Sequence, residues 1–264
     1  MSRNTLNDIR KLKKQGKKIA CLTAYDASFA SLIEEAEADI ILVGDSLGMV
    51  VQGHDSTLPV TVEDMIYHCR LVHRGTQTVF LMVDMPFMSY ATPDMALNTA
   101  TRLMQEGQAQ MVKLEGGSWL GDTVKLLTER GIPVCGHIGL IPQSVHQFGG
   151  YHVQGRTETR AEKLRQDALA LQNAGASLIV LECMPDGLVK DITQTLDIPA
   201  IGIGAGSECD GQVLVLYDIL GISPKIPSFA KNFLAETNSI HDAIKYYVQA
   251  VKTNEFPSSE YTFK

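Results

Sequence analysis

The sequence lacks several features that would assign it to a class of protein at once. Its longest apolar runs are far shorter than the ~20 residues that a membrane-spanning helix needs. Its five cysteines are scattered, odd in number and never arranged as a C-x-x-C pair. This pattern argues against a disulfide frame and a zinc site, and it favours free thiols in a reducing cytoplasm.

Positive charge is also scarce. The chain has 23 Lys and Arg against 30 Asp and Glu, a net charge of −7 at pH 7, and no basic stripe. We therefore expect no nucleic-acid partner. The basic N-terminal segment, MSRNTLNDIRKLKKQGKK, has no apolar run behind it. It predicts a short amphipathic helix over residues 5–14 rather than a secretory signal.

What the sequence does contain is a regular series of short apolar runs typical of buried strands. The chain has 264 residues, of which 45% are hydrophobic and 20% charged, an ordinary balance for a globular protein. Eight runs predict strands at residues 19–23, 40–43, 79–83, 111–114, 133–137, 178–181, 199–203 and 213–216.

Helical patterns separate most of these runs. They cover residues 28–38, 62–73, 94–105, 119–130, 158–174 and 187–196, and a last helix is predicted over residues 232–251. Several end near a glycine that could form a left-handed stop, namely Gly75, Gly107, Gly131 and Gly175. Strand–helix alternation indicates parallel strands joined by right-handed crossovers.

Eight such units favour an α/β fold of the closed (β/α)8 TIM-barrel type, with residues 1–264 forming a single domain. An open doubly wound sheet is the alternative, because periodicity does not reveal closure. Two connections, residues 45–61 and 138–157, are too long for plain crossovers. Loops of that length usually act as lids or binding loops.

Charged residues follow the predicted strands with unusual regularity. The second, third, fourth and sixth strands end at Asp45, Asp84, Glu115 and Glu182, and the fifth ends at His137. In a barrel these strand ends meet at one mouth, where four carboxylates would repel one another unless a cation is present. Oxygen ligands without cysteine or histidine at zinc spacing favour Mg²⁺.

Strand alternation places Lys113 on the same face as Glu115, so we expect Lys113 either to pair with that acid or to hold an anionic group of the substrate. The same rule predicts four apolar residues in the barrel interior beneath the acids: Ile41, Val43, Phe80 and Met82.

Each candidate also has an ordinary structural interpretation. Asp45 and Asp84 could be turn residues, Glu115 a cap with Lys113 as its partner, and His137 a structural histidine. Glu182 is harder to explain as a turn or capping residue. A purely structural role for all four acids at once is what we least expect. The GIGAG turn at residues 202–206 could hold an anion, but it lacks the G-x-G-x-x-G spacing of dinucleotide sites.

Seven motifs together resemble the ketopantoate hydroxymethyltransferase family over about residues 5–256. They are GDSLGMVVQGHDSTLPVTVEDM, DMPFMSYATP, MVKLEGG, VCGHIGLIPQSV, GGYHVQGR, LECMP and IGIGAG. The resemblance implies a (β/α)8 barrel of the phosphoenolpyruvate/pyruvate-binding type. It implies transfer of a hydroxymethyl group from 5,10-methylenetetrahydrofolate to 3-methyl-2-oxobutanoate, giving 2-dehydropantoate for pantothenate synthesis. It also implies Mg²⁺ and a decamer built from two five-membered rings.

The same resemblance assigns roles to individual residues. Asp45, Asp84 and Glu115 match the residues of the family that bind or contact the metal. Asp45, Ser46, Asp84 and Lys113 match residues that contact the substrate. Glu182 matches the catalytic base, which removes the C3 proton to give an enolate stabilised by Mg²⁺.

Two other functions fit the residues less closely. One is a carbon–carbon lyase of the isocitrate lyase type, which would need no folate. The other is a metabolite-binding barrel without catalytic activity. The four acids and the strand lysine argue against it.

Overall fold

The computed structural model describes residues 3–223 and 225–264. Positions 1, 2 and 224 of the predicted 1–264 domain lie outside the described residues. Eight parallel strands form a closed barrel in sequential order, β1 to β8, which confirms the predicted architecture. They are β1 (Ile19–Thr23), β2 (Ile40–Val43), β3 (Phe80–Asp84), β4 (Met111–Glu115), β5 (Val134–Gly139), β6 (Leu178–Glu182), β7 (Ala200–Ile203) and β8 (Gly211–Leu214).

Helices surround this barrel and separate most of its strands. They are α1 (Leu6–Lys14), α2 (Ala27–Glu35), α3 (Leu47–Val50), α4 (Val62–Arg74), α5 (Pro93–Gln105), α6 (Gly121–Glu129), α7 (Val145–Phe148), α8 (Glu158–Asn173), α9 (Asp186–Thr195), α10 (Leu216–Ile219) and α11 (Ile240–Lys252). No helix among residues 3–223 and 225–264 is both long enough and apolar enough to cross a membrane.

The barrel interior is filled by alternate side chains of the strands. Its apolar residues are Ile19, Cys21, Ile40, Leu42, Phe80, Met82, Met111, Cys135, Leu178, Val180, Ile201 and Val213. Phe80 and Met82 were predicted here, but the prediction for Ile41 and Val43 was wrong, since both pack in the outer layer. The alternation does not extend to Asp45, because that residue lies in a turn beyond the end of β2.

Helix α1 closes the barrel at the N-terminal ends of the strands. Its buried Ile9 packs into the interior cluster, with Leu6 and Leu12 beside it. A capping box between Thr5 and Asp8 begins the helix, which satisfies backbone N–H groups that would otherwise lack partners. The acidic residues lie at the opposite end of the barrel, at the C-terminal ends of the strands.

The predicted glycine stops were right at two helices and wrong at others. Gly131 and Gly175 have left-handed φ values of 81° and 105°. Gly75 has φ −82°, and a Cβ atom there would overlap the Ala27 backbone, so close packing explains that glycine. Beyond Gly107, Gln108 is the residue with left-handed φ, at 65°.

Two predicted boundaries near the C-terminus were also wrong. Helix α11 begins at Ile240, not at residue 232, because Ser239 caps it by accepting a hydrogen bond from the Asp242 N–H. Strand β8 ends at Leu214, because the chain turns into α10 and the Leu216 N–H donates to the Thr23 hydroxyl over 2.9 Å.

Candidate active site

Four neighbouring strands bring charged side chains together at the C-terminal end of the barrel. The register pairs Asp84 of β3 with Lys113 of β4, and Glu115 of β4 with His137 of β5. Paired residues of parallel strands project to the same face, here the barrel interior. Glu182 ends β6 on the far side of His137, opposite Gly139 of β5.

Lys113 lies at the centre of this cluster and is only 4% exposed. Its Nζ atom is 2.8 Å from Asp84 Oδ1, 3.9 Å from Glu115 Oε1 and 3.2 Å from His137 Nδ1. Burial opposes a charge on Lys113, but the attraction of the three acids Asp84, Glu115 and Asp45 prevails and raises its pKa. The lysine therefore compensates part of the buried negative charge.

Asp45 reaches the cluster from the turn after β2. Its backbone N–H donates to Asp84 Oδ2 over 3.0 Å, which holds the two acids next to each other. Burial raises the pKa of Asp45 well above its ordinary value, and the charges of Asp84 and Glu115 raise it further. A cation near this pair would lower the cost of ionising both carboxylates.

Glu115 is held by groups on both sides. Its Oε1 lies 3.4 Å from His137 Nδ1, and its Oε2 accepts the Gln143 backbone N–H over 2.9 Å. Burial opposes ionisation, but the contacts with His137, Lys113 and Gln143 outweigh burial and lower the pKa of Glu115. Glu115 is thus stabilised as a carboxylate by the chain itself.

His137 connects Glu115 with Glu182. Its Nε2 lies 3.1 Å from Glu182 Oε2, although the pair is not aligned as a hydrogen bond. Burial and the neighbouring Lys113 lower the pKa of His137, whereas Glu115 and Glu182 raise it, and the net shift is upward. The Glu182 side chain is 13% exposed, more than those of Asp84 and Glu115 at 5% and 2%.

Sequence reasoning missed two residues of this site, Gln143 and Tyr90. The Gln143 side chain donates to Asp45 Oδ2 over 2.8 Å, and the Tyr90 hydroxyl donates to Gln143 Oε1 over 2.5 Å. Neither follows a strand, and neither is an ionised group at neutral pH. No pattern of spacing or charge could therefore have indicated them.

The remaining predicted residues lie at the edge of the cluster. Ser46 follows Asp45, and its hydroxyl lies 2.8 Å from the Tyr25 hydroxyl. The GIGAG turn packs closely: Cβ atoms at Gly204 and Gly206 would lie 2.9 Å from Phe229 and 3.0 Å from Asp186. That turn therefore has a packing role.

The two long loops meet beside the acids. The hydroxyl of Tyr151, in the loop after β5, lies 3.7 Å from the Met49 sulfur in the loop after β2. Partial burial raises the pKa of Tyr151, and so do the charges of Glu182, Asp45 and Glu115. The tyrosine is 48% exposed, so it borders the site without sealing it.

The oxygen atoms of this cluster can be compared with the ligands that a divalent cation prefers. Among residues 3–223 and 225–264, no group of three or more His, Cys, Asp or Glu side chains is arranged to hold a metal. Asp84 and Asp45 are nevertheless adjacent and buried: Asp84 Oδ2 accepts the Asp45 backbone N–H, and Asp84 Oδ1 faces Lys113. Mg²⁺ is usually bound by only one or two carboxylates and keeps several waters, so this pair of aspartates fits it.

Comparison with known proteins decides the family. The sequence matches the ketopantoate hydroxymethyltransferase family over residues 3–259. It is 61% identical over 264 residues to 3-methyl-2-oxobutanoate hydroxymethyltransferase of Nitrosococcus oceani, with 100% of both chains covered. It is 58% identical to the Shewanella loihica enzyme of that name, also with 100% of both chains covered. The chain belongs to the ketopantoate hydroxymethyltransferase family.

Solved structures show the same fold at much lower identity. Phosphonopyruvate hydrolase, solved with oxalate and Mg²⁺, has a TM-score of 0.61 at 12% identity, covering 80% of this chain and 81% of that one. For 2,3-dimethylmalate lyase, a member of the PEP mutase/isocitrate lyase superfamily, the TM-score is 0.58 at 16% identity, with coverage of 80% and 78%. The chain thus has the same barrel fold as these proteins, as the resemblance implied.

Proposed function

We propose that the protein transfers a hydroxymethyl group from 5,10-methylenetetrahydrofolate to 3-methyl-2-oxobutanoate. The products are 2-dehydropantoate and tetrahydrofolate, and one water is consumed. The observation that carries the proposal is the full-length identity of 61% to a relative of that name, joined to an acid–lysine cluster at the barrel mouth. Such clusters at strand ends are where TIM barrels place their chemistry.

The keto acid would bind beside Asp45 and Asp84. Its carboxylate needs positive charge, and Lys113 is the cation buried in the cluster, 2.8 Å from Asp84. Ser46 follows Asp45 directly, so its hydroxyl would donate to a carboxylate or ketone oxygen of the substrate. Together, the aspartate pair, Lys113 and Ser46 would orient C3 of the substrate towards the opposite side of the barrel mouth.

Mg²⁺ would be held by Asp45, Asp84 and Glu115, and when bound it would supply a Lewis acid that polarises the ketone. Glu115 suits this role because its contacts with His137 and Gln143 favour its ionised form. The two aspartates suit it because they are adjacent and buried, and carboxylate oxygens are ligands that Mg²⁺ prefers.

Glu182 would remove the C3 proton as a general base. Its carboxylate lies on the strand beyond His137 and is the most open of the four acids, so a substrate can reach it. Contact with the buried His137 would hold the carboxylate in place, because His137 is in turn anchored by Glu115. The resulting carbanion would form the new C–C bond to the methylene carbon of the folate. The two bonds from that carbon to the folate nitrogens would break, water would supply the hydroxyl group, and the nitrogens would take up the C3 proton and the remaining water proton to give tetrahydrofolate.

Assembly and location are part of the same proposal. We propose a homodecamer of two five-membered rings in the cytoplasm, supported by the family resemblance. All five cysteines are free and buried in the structure, which suits a reducing compartment. Light scattering after size exclusion should give about ten times the 28.8 kDa chain mass.

The test is a product assay with and without the folate. Purified protein, Mg²⁺ and 3-methyl-2-oxobutanoate should give 2-dehydropantoate only when 5,10-methylenetetrahydrofolate is added, and excess EDTA should stop the reaction. Carbon–carbon cleavage of a 2-hydroxy dicarboxylate without folate would instead assign a lyase. Keto-acid binding without turnover of either kind would indicate a metabolite-binding barrel.

A further inference from the structure

The loop after β5 inserts one glutamine among the ends of three other strands. Gln143 lies in the single turn Pro142–Ser144 and is 5% exposed. Its side-chain Nε2 donates to Asp45 Oδ2 over 2.8 Å and to the Met85 carbonyl over 2.9 Å. Its backbone N–H donates to Glu115 Oε2 over 2.9 Å. One residue thus contacts the chain just beyond β2 and β3 and at the last residue of β4.

Asp45, Met85 and Tyr90 together fix the orientation of this amide. The Tyr90 hydroxyl donates its single proton to Gln143 Oε1 over 2.5 Å and accepts the Glu115 backbone N–H over 3.3 Å. The reversed amide would place Oε1 against the Asp45 carboxylate and the Met85 carbonyl, which are both acceptors. Every polar atom of the amide is therefore satisfied in one orientation alone, which is how buried polar networks specify geometry.

The start of the same loop is attached to the strand of Glu182. The Leu140 N–H donates to the Glu182 carbonyl over 2.8 Å. Gly139 has φ +95°, and a Cβ atom there would overlap that carbonyl and lie 2.9 Å from the Met184 side chain. Because Gly139 has no side chain, its backbone can lie against the Glu182 carbonyl where the loop leaves β5. The loop then returns across the barrel mouth to Asp45.

We propose that Gln143, oriented by Tyr90, is a positioning residue that holds the carboxylates of Asp45 and Glu115 in the arrangement that binds Mg²⁺ and the keto acid. Asp45, Asp84 and Glu115 repel one another, so without a fixed donor the Asp45 side chain would rotate away from its neighbours. A neutral amide is suited to this task because it anchors a carboxylate without neutralising the charge that the cation needs. The inference rests on the proposed function of the site.

The decisive variant is Gln143→Met, which keeps the side-chain length and the backbone N–H but removes both amide donors. Its matched control is Gln154→Met in the same loop, since the Gln154 side chain donates only to the His152 carbonyl over 2.9 Å. Titration calorimetry with Mg²⁺ alone should show about 10- to 100-fold weaker binding for Gln143→Met, as for other residues that orient metal ligands, and no change for Gln154→Met.

Kinetics and a second variant separate positioning from folding. Gln143→Met should raise KM for 3-methyl-2-oxobutanoate more than it lowers kcat. Tyr90→Phe removes only the hydroxyl that orients the amide, so it should weaken Mg²⁺ binding by a smaller factor. In the double variant the two effects should not add, because they act through one contact. If Gln143→Met does not fold, Tyr90→Phe provides the same test.

The two proposals can fail separately. Unchanged Mg²⁺ affinity in folded Gln143→Met, with normal turnover by the unmodified protein, would overturn the positioning role alone. Weaker Mg²⁺ binding in Gln143→Met, with no folate-dependent turnover by the unmodified protein, would support the positioning role and overturn the proposed reaction. Equal losses of Mg²⁺ affinity in Gln143→Met and Gln154→Met would mean general loosening of the loop and would also overturn the positioning role.

Discussion

The Nε2 atom of His137 lies 3.1 Å from the Oε2 atom of Glu182, while the Nδ1 atom of the same ring lies 3.4 Å from Glu115 Oε1. The histidine thus joins the acid proposed as the base to the acids proposed to surround the cation. Lys113 completes the arrangement, 3.2 Å from Nδ1. The site is a continuous series of charged groups across four strand ends.

Replacing Glu182 with Gln should separate binding from proton transfer. The amide keeps the shape of the side chain but cannot accept a proton, so exchange of the C3 proton of 3-methyl-2-oxobutanoate in D₂O should fall by at least ~100-fold. Binding of the keto acid with Mg²⁺ should stay within about threefold, since the base does not anchor the substrate.

NMR measures the exchange and calorimetry the binding. Glu129→Gln on the surface of α6 is the matched control and should exchange at the normal rate. Normal exchange in Glu182→Gln would remove Glu182 from the role of base.

Asp84→Asn should abolish Mg²⁺-dependent binding of the keto acid. The substitution removes the charge of an acid that is 3% exposed and takes away the counter-charge of Lys113, 2.8 Å distant. The lysine would then repel the cation without compensation. Calorimetry with Mg²⁺ and 3-methyl-2-oxobutanoate measures the loss, and exposed Asp122→Asn serves as the control. Mg²⁺ affinity that survives in Asp84→Asn would refute the assignment of Asp84 as a ligand.

Lys113→Met should destabilise the protein strongly, and more at high pH than at low pH. Removing the cation leaves Asp84 and Glu115 as buried carboxylates without their compensating charge, which typically costs about 3–5 kcal/mol. Protonation of one acid would relieve the repulsion, so the deficit should be smaller at pH 5 than at pH 8. In the native protein the raised pKa of Lys113 means that its stabilising charge persists throughout this range.

Urea unfolding at the two pH values measures the difference. Lys125→Met, which removes an exposed ion pair with Glu129, should cost less than about 1 kcal/mol at either pH. A Lys113→Met deficit that is independent of pH would show that lost packing, rather than charge, is responsible.

Glu34→Gln should lower stability at neutral pH and have less effect in acid. The Glu34 carboxylate at the end of α2 accepts the backbone N–H groups of residues 77, 78 and 79 over 2.5–2.9 Å, together with the Thr78 hydroxyl. Burial opposes its ionisation, but these hydrogen bonds prevail and lower its pKa. The stabilisation is therefore present above the pKa of the unfolded state and is lost as pH falls through the folded-state pKa.

Thermal or urea unfolding should show a loss of about 1–2 kcal/mol at pH 7 that shrinks towards pH 3. Glu35→Gln is a close control, because Glu35 is exposed and accepts only from the Ser31 hydroxyl. An equal loss in both variants would mean that the contact of Glu34 with the segment before β3 contributes little.

Sequence reasoning worked best where a residue belongs to a regular strand. Phe80, Met82 and Lys113 face the barrel interior as alternation predicts, and so does Glu115. It failed for Ile41 and Val43, whose placement was counted back from Asp45. That residue lies two positions beyond the end of β2, in a turn where the alternation no longer holds. The glycine stop predicted at Gly75 was wrong for a different reason: this glycine is required by contact with Ala27, which is distant in sequence.

The sequence by itself determined the eight strand–helix units and the acids at the strand ends, whereas closure of the sheet, which periodicity left open, was decided by the tertiary structure. Short apolar runs and their spacing are local properties, and parallel strands joined by short crossovers bring their ends to one side of the barrel. Only the tertiary structure decided how the acids are held. Gln143 and Tyr90 reach them from loops, whose paths depend on contacts distant in sequence, such as that of Gly139 with Glu182, and not on any periodicity of the chain.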